Sequence, residues 1–143
     1  MNILITEDEP ILADELETIV KELGHQVIGV ASTLGGALRL AEQTSCDIAL
    51  VDVYLSDGTT GPAVARYLTE DCHATVIFTT SNPGRVPEDF ASACGVIAKP
   101  LSEQNIKSAI RFVNECLIEG RAMHPKPRAL NLSPAYAERW KVA

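Results

Sequence analysis

Ile48-Ala49-Leu50-Val51 runs without a polar interruption into Asp52, and the reading of this stretch decides the fold. An apolar run with no alternation has both faces buried, which is the habit of a parallel sheet covered by helices on either side. Three other short runs repeat the form. Ile3-Leu4-Ile5-Thr6 leads into Glu7-Asp8-Glu9, Val76-Ile77-Phe78-Thr79 stops at Thr80-Ser81, and Val96-Ile97-Ala98 meets Lys99-Pro100. Parallel strands share one carboxyl side, so all four polar ends are expected on one edge of the sheet. That edge gathers a carboxylate cluster, a hydroxyl and a lysine, a set suited to a divalent cation and a phosphoryl group.

Helical spacing fills the gaps between the runs. Glu9-Pro10 opens a pattern with Ile11, Leu12, Leu16, Ile19, Val20 and Leu23 on one face, with proline tolerated at the first helical position and Gly24 as the stop. Residues 26–31 read as a second strand, and 33–44 as a helix begun by Ser32 or Thr33. The turn-rich Ser56-Asp57-Gly58-Thr59-Thr60-Gly61 leads to a helix over about 62–70. Asn82-Pro83-Gly84 and Pro87 break the next connection and confine any helix there to 88–94. Ser102 caps a last helix with Ile106, Ala109, Ile110, Val113 and Leu117 inward. The expected fold is α/β: a five-stranded parallel sheet, doubly wound, over residues 1–120. Residues 121–143 read as a C-terminal tail, because His124-Pro125-Lys126-Pro127 cannot continue a helix and Ser133 to Trp140 offers at most a short amphipathic turn.

Composition narrows the function classes. The net charge of −7 divides into a local +4 over residues 121–143 and −11 over residues 1–120, and an acidic body argues against nucleic-acid binding. No run approaches the roughly 18 apolar residues of a membrane span, and no secretory signal is visible, so a cytoplasmic protein without membrane contact is expected. Cys46, Cys72, Cys94 and Cys116 are widely spaced with no CxxC pair, and His25, His73 and His124 do not cluster with them. They are expected to be small core or interface residues with no metal role.

A hard cation such as Mg²⁺ takes oxygen ligands, with one or two carboxylates and the remaining positions left to water and phosphate. Asp8 and Asp52, with Glu7 beside them, supply such oxygens. Phosphoryl transfer to a carboxylate needs a nucleophilic oxygen, a metal to neutralise incoming charge and fixed donors for the other oxygens. Asp52, Mg²⁺, Lys99 and the Thr80 hydroxyl fill these roles. Taken singly, Glu7, Asp8 and Glu9 would pass as the acidic first turn of a helix, and Lys99 as half of a structural ion pair. Thr79 competes with Thr80, and strand alternation favours Thr80.

Glu7-Asp8 after the first strand, Asp52 after the third, Thr80 after the fourth and Lys99-Pro100 after the fifth together resemble the receiver domains of two-component response regulators, over residues 1 to about 118. The resemblance implies a flavodoxin-like fold with Asp52 as phosphoacceptor. Glu7, Asp8 and the backbone carbonyl of Tyr54 would join Asp52 as metal ligands, with Thr80 as switch hydroxyl, Lys99 as phosphate contact and a cis Lys99-Pro100 bond. It also implies a histidine kinase or phosphotransfer protein as phosphoryl donor, a downstream protein partner that the sequence does not name, and a monomer or weak homodimer. The chain departs from the usual pattern in three places. Gly61 lies nine residues after Asp52 where eight is usual, Val96 stands at the customary aromatic switch position, and the segment from Asn82 to Pro87 replaces a regular helix. These features are similar to atypical single-domain receivers of alphaproteobacterial signalling. About 23 residues beyond the last helix leave no room for an output domain with its own core, so output is expected by protein contact or phosphorelay. The partner surface is expected on the face formed by the fourth helical segment, the fifth strand and the last helix. Two other readings compete. A small aspartyl-phosphate phosphatase wants a second acid two residues after the nucleophile, where Tyr54 stands. A phosphorylation-independent interaction module has no need of an intact Asp52, Thr80 and Lys99.

Overall fold

A computed structural model describes residues 1–143. Five parallel strands alternate with helical connections: β1 (Asn2–Thr6), α1 (Pro10–Glu22), β2 (Gln26–Ala31), α2 (Leu34–Gln43), β3 (Ile48–Asp52), α3 (Gly61–Glu70), β4 (Thr75–Thr80), β5 (Gly95–Ala98) and α4 (Glu103–Glu119). All five residues of β3 are buried, as its unbroken apolar run requires. Alternate residues then divide between two cores. Ile3, Ile5, Ile48, Leu50, Ile77 and Ile97 meet α1 and α4 on one face. Leu4, Ala49, Val51, Val76, Phe78 and Val96 meet α2 and α3 on the other. Thr33 and Ser102 cap α2 and α4, their hydroxyls accepting from the Gly36 and Asn105 amides, and Gly120 ends α4 in the left-handed region at φ 75°.

The sheet has six strands rather than the five expected, in the order β2-β1-β3-β4-β5-β6. The sixth, β6 (Leu130–Leu132), runs antiparallel to β5, followed by a short helix α5 (Pro134–Arg139). The stretch read as a tail is therefore built into the domain. Leu130 is fully buried, and Tyr136 and Trp140 close one end of the core, with the Trp140 ring edge-on to Phe112 and Tyr136 at 6.3 and 5.0 Å. Apolar side chains at those positions explain why a segment with few local signals is held down.

The connection between β4 and β5 contains no α-helix. It makes two single 3-10 turns, Pro83–Arg85 and Phe90–Ser92, and in the second Phe90, Ala91 and Ser92 all have positive φ. That region costs an L-residue roughly 1–2 kcal/mol. Ala91 is buried there, an exposed two-pronged ion pair joins Arg66 to Asp89 at 3.0 and 3.1 Å, and Asp89 also accepts from the Ala91 amide. All four cysteines are free, and burial holds Cys46 in the thiol form with its pKa raised to about 12. No helix is long and apolar enough to cross a membrane.

Candidate phosphoacceptor site

The chain passes from β1 outward to β2 and returns to place β3 on the other side of β1. Strand order reverses there, and the crevice at the carboxyl ends of β1 and β3 is where such sheets bind ligands. Glu7 and Asp8 follow β1 and Asp52 ends β3, so the switch point is lined with acid. One carboxylate oxygen from each of Glu7, Asp8 and Asp52 lies within 4.8 Å of the others. Glu7 and Asp52 are buried and Asp8 is exposed, which leaves the cluster open on one side.

Lys99, immediately after β5, closes the cluster from across the sheet. Its Nζ donates to Asp52 Oδ2 at 2.9 Å, to Glu7 Oε1 at 3.0 Å and to Glu9 Oε2 at 3.4 Å. Backbone donors fix the remaining oxygens. The Tyr54 amide donates to Asp52 Oδ1 at 3.0 Å, and the Asp8 and Glu9 amides donate to Glu7 Oε2 at 3.0 and 3.2 Å. Glu9 is the member that the sequence did not place in the site; its only signal was membership of the Glu7-Asp8-Glu9 run. The Lys99-Pro100 bond is cis, as expected. Thr80 is fully buried at the end of β4, its hydroxyl accepting from the Asn82 amide at 3.0 Å. Thr79 lies opposite Asp52 in the β3–β4 register, and its carbonyl accepts from the Val53 amide.

One lysine facing several carboxylates leaves an excess of negative charge. Burial raises the Glu7 pKa to about 7; the Lys99 hydrogen bond opposes this, and the hydrogen bond and charge of Asp52 reinforce it. Burial alone would lower Lys99, but hydrogen bonds to Asp52 and Glu7 overcome it and hold the ammonium well above its ordinary pKa. The donor set is all hard oxygen, and with Glu7 ionised it fits a small divalent cation.

The loop after β3 opens with a tight turn. Leu55 and Gly58 exchange backbone hydrogen bonds across a two-residue turn, and Asp57 ties that turn to the start of α2 by accepting from the Leu34 amide. Gly61 then returns against the end of β3, where a Cβ would meet Val53 Cα at 2.6 Å and Val53 O at 2.7 Å. The later glycine thus occupies the point where the backbone doubles back.

Fold and site together define a doubly wound domain with an acid-and-lysine centre at its carboxyl edge. Residues 3–111 match the family model of the response regulator receiver domain, and the chain belongs to that family. It is 37% identical over 110 residues to the phyllosphere-induced regulator PhyR of Methylorubrum extorquens, covering 76% of this chain and 41% of that protein. It is 33% identical over 115 residues to the positive alginate biosynthesis regulatory protein of Pseudomonas aeruginosa, covering 78% and 46%. Among solved structures, the response regulator PhyR from Brucella abortus superimposes with a TM-score of 0.71 at 31% identity, covering 82% of this chain and 50% of that one. The receiver domain of Erythrobacter litoralis PhyR gives 0.71 at 27% identity, covering 88% and 95%. The chain spans about half the length of the curated relatives it matches.

Proposed function

We propose that Asp52 accepts a phosphoryl group from a histidine kinase or phosphotransfer protein and that the phosphorylated domain signals by protein contact or passes the group on. The observation that carries this reading is the placement of Lys99 Nζ between Asp52 and Glu7, 2.9 and 3.0 Å away, on the side of the cluster opposite exposed Asp8. Asp52 Oδ attacks phosphorus, a P–O bond forms, and the P–N bond of the donor phosphohistidine breaks with its electron pair returning to the imidazole. In this reading Lys99 meets the phosphoryl oxygens and the Thr80 hydroxyl is the second donor. Glu7, Asp8, Asp52 and the Tyr54 carbonyl would hold Mg²⁺, which when bound neutralises charge on the transferring group. The chain's own groups orient the acceptor: the Tyr54 amide fixes Oδ1 of Asp52, leaving Oδ2 toward Lys99. Output through protein contact is supported by relatives such as the Bartonella quintana PhyR, described as an anti-anti-sigma factor. A phosphatase reading lacks its second acid at Tyr54.

Acetyl phosphate with Mg²⁺ tests the proposal. Intact-mass analysis is expected to show one added phosphoryl group, peptide mapping to place it on Asp52, and a chelator to prevent it. Absence of labelling, or labelling mapped to another residue, would overturn it.

Mg²⁺ is also expected to stabilise the fold by ~2.7 kcal/mol at a hundredfold excess over its dissociation constant, because the assembled ligands exist only in the folded chain. The gain should grow with pH. A carboxyl raised from 4.5 to about 7 favours the folded state in its protonated form, so the Glu7 contribution is present below 4.5 and lost as pH rises through about 7. Ionised Glu7 is the form that ligates. Metal-free melting temperature should therefore fall, and the Mg²⁺-induced rise increase, between about pH 5 and pH 8. The Glu7→Gln variant should show neither trend, and identical trends in that variant would assign them to other groups.

A further inference from the structure

The outer edge of β5 is where the chain covers itself. Without β6, β5 would be the last strand of the sheet, with unpaired amides and carbonyls beside an apolar bed, which is a template for strand addition. Residues 130–132 occupy that edge in antiparallel register, Ile97 opposite Leu130, Val96 opposite Asn131 and Gly95 opposite Leu132. The Ser133 amide extends the pairing by donating to the Cys94 carbonyl at 2.8 Å. Gly95 is shaped for this contact, since a Cβ there would meet Asn131 O at 2.7 Å and Leu130 Cδ1 at 2.9 Å. Beyond the strand, Tyr136 and Trp140 lie against α4.

The strand pairing of the occupant is the shortest in the sheet, although Leu130, Tyr136 and Trp140 are buried in the core. β6 has three residues, against five or six in β1 to β4, and a link containing Pro125 and Pro127 joins it to α4. β5 is also the strand that carries Lys99 to the site. Ile97, two residues before Lys99, is paired with Leu130, and the Lys99 amide donates to the Thr80 carbonyl at 2.8 Å. A change in where Lys99 and Thr80 are held therefore acts on the strand that β6 grips.

We propose that the outer edge of β5, with the adjoining face of α4, is a protein-docking surface that the chain's own residues 130–140 hold closed, and that a phosphoryl group on Asp52 loosens this cover. The partner it fits is a protein segment built like the occupant: an extended strand with apolar residues at alternate positions, followed by a short helix carrying aromatic side chains. This rests on Asp52 being the phosphoacceptor. A phosphoryl group takes up Lys99 and draws in the Thr80 hydroxyl, which pulls the end of β5 toward the site and away from its outer neighbour.

Trp140 is the only tryptophan of the chain and reports the cover directly. Beryllofluoride with Mg²⁺ serves as the phosphoryl analogue, and its binding is verified first by an Asp52-dependent rise in melting temperature. Acrylamide quenching of Trp140 should then increase. A fluorescently labelled peptide with the sequence of residues 128–143 should bind the full chain about tenfold more tightly, within the usual range of coupling between sites. Leu130→Ala weakens the occupant and leaves the edge intact, so it should raise peptide affinity without the analogue. Gly95→Ala obstructs the edge and should abolish peptide binding with or without it. Unchanged quenching and peptide affinity in chain that demonstrably binds the analogue would overturn the inference and leave the phosphoacceptor reading standing. Peptide binding that survives Gly95→Ala would overturn the placement of the surface. No analogue-dependent rise in melting temperature would defeat the phosphoacceptor reading and the gating with it.

Discussion

Asp52→Asn is expected to reduce labelling by acetyl phosphate below detection while leaving the metal-free fold as stable as the parent to within ~1 kcal/mol. The two outcomes separate chemistry from architecture. Asparagine keeps an oxygen to accept from the Tyr54 amide, so the loop after β3 retains its anchor. It removes the nucleophilic oxygen, and no other carboxylate combines the end of a central strand, a lysine at 2.9 Å and an acid pair across the switch point. It also removes a charge that raises the Glu7 pKa. Lys99 loses one charged partner and keeps another, Glu7 at 3.0 Å, so no buried ammonium is left alone. Breaking a buried pair destabilises strongly when a charge is stranded, and here relief of carboxylate repulsion works against the lost attraction. Intact-mass analysis and thermal melts in chelator read the two halves. Undiminished labelling would move the phosphoacceptor elsewhere; a loss of several kcal/mol would mean that Asp52 serves the fold first.

The part of the molecule that was legible in the sequence is the part written in short, strong local signals. β3 announces itself through five residues with no polar break, and the cores on its two faces follow from the pleat. The convergence of Glu7, Asp8, Asp52 and Lys99 was legible because parallel topology turns strand-end positions into spatial neighbours. Glu7, Asp52 and Lys99 are separated by up to 92 residues in sequence and meet within hydrogen-bond distance. The sixth strand was not legible. Leu130-Asn131-Leu132 is too short for a period to show, and its pairing with β5 depends on a contact made some 35 positions away. Ser133-Pro134 was a usable clue, a capping residue followed by proline at the first helical position, and the Ser133 hydroxyl does accept from the Tyr136 amide. The left-handed turn Phe90–Ser92 runs against local preference at every residue and is held by Asp89, Arg66 and the burial of Ala91. Local rules miss such a segment because tertiary contacts decide it.

The self-covered edge changes what the expected partner face offers. Val96 lies opposite Phe78 on one side and Asn131 on the other, so the position usually given to a rotating ring is a buried valine between two strands. Nothing there swings outward. On the function proposed above, change at this face would come from the connection after Thr80 or from the cover over β5, and the second borders the strand that leads to Lys99.

Gly61→Ala should destabilise the protein by ~3 kcal/mol, the upper part of the usual range for overpacking, and slow phosphorylation at the same time. The new methyl would meet Val53 Cα and O at 2.6 and 2.7 Å and would also strike the Asp52 carbonyl. These are backbone atoms of a buried strand end, so no side-chain rotation relieves the clash. The Gly61 amide donates to the Val53 carbonyl at 3.1 Å, which means that the pair is drawn together by the contact the methyl disrupts. Displacing Val53 displaces its neighbours, Asp52 and the Tyr54 amide that orients it. A loss of ~3 kcal/mol corresponds to a fall in melting temperature of the order of 10 °C for a chain of this size. Gly84→Ala supplies the comparison. Its methyl would meet only Asn82 Oδ1, at 3.5 Å, and its effect should stay within about 0.5 kcal/mol. Equal, small effects from both substitutions would show that the loop after β3 yields, and that the glycine at position 61 does not set the geometry of the acceptor.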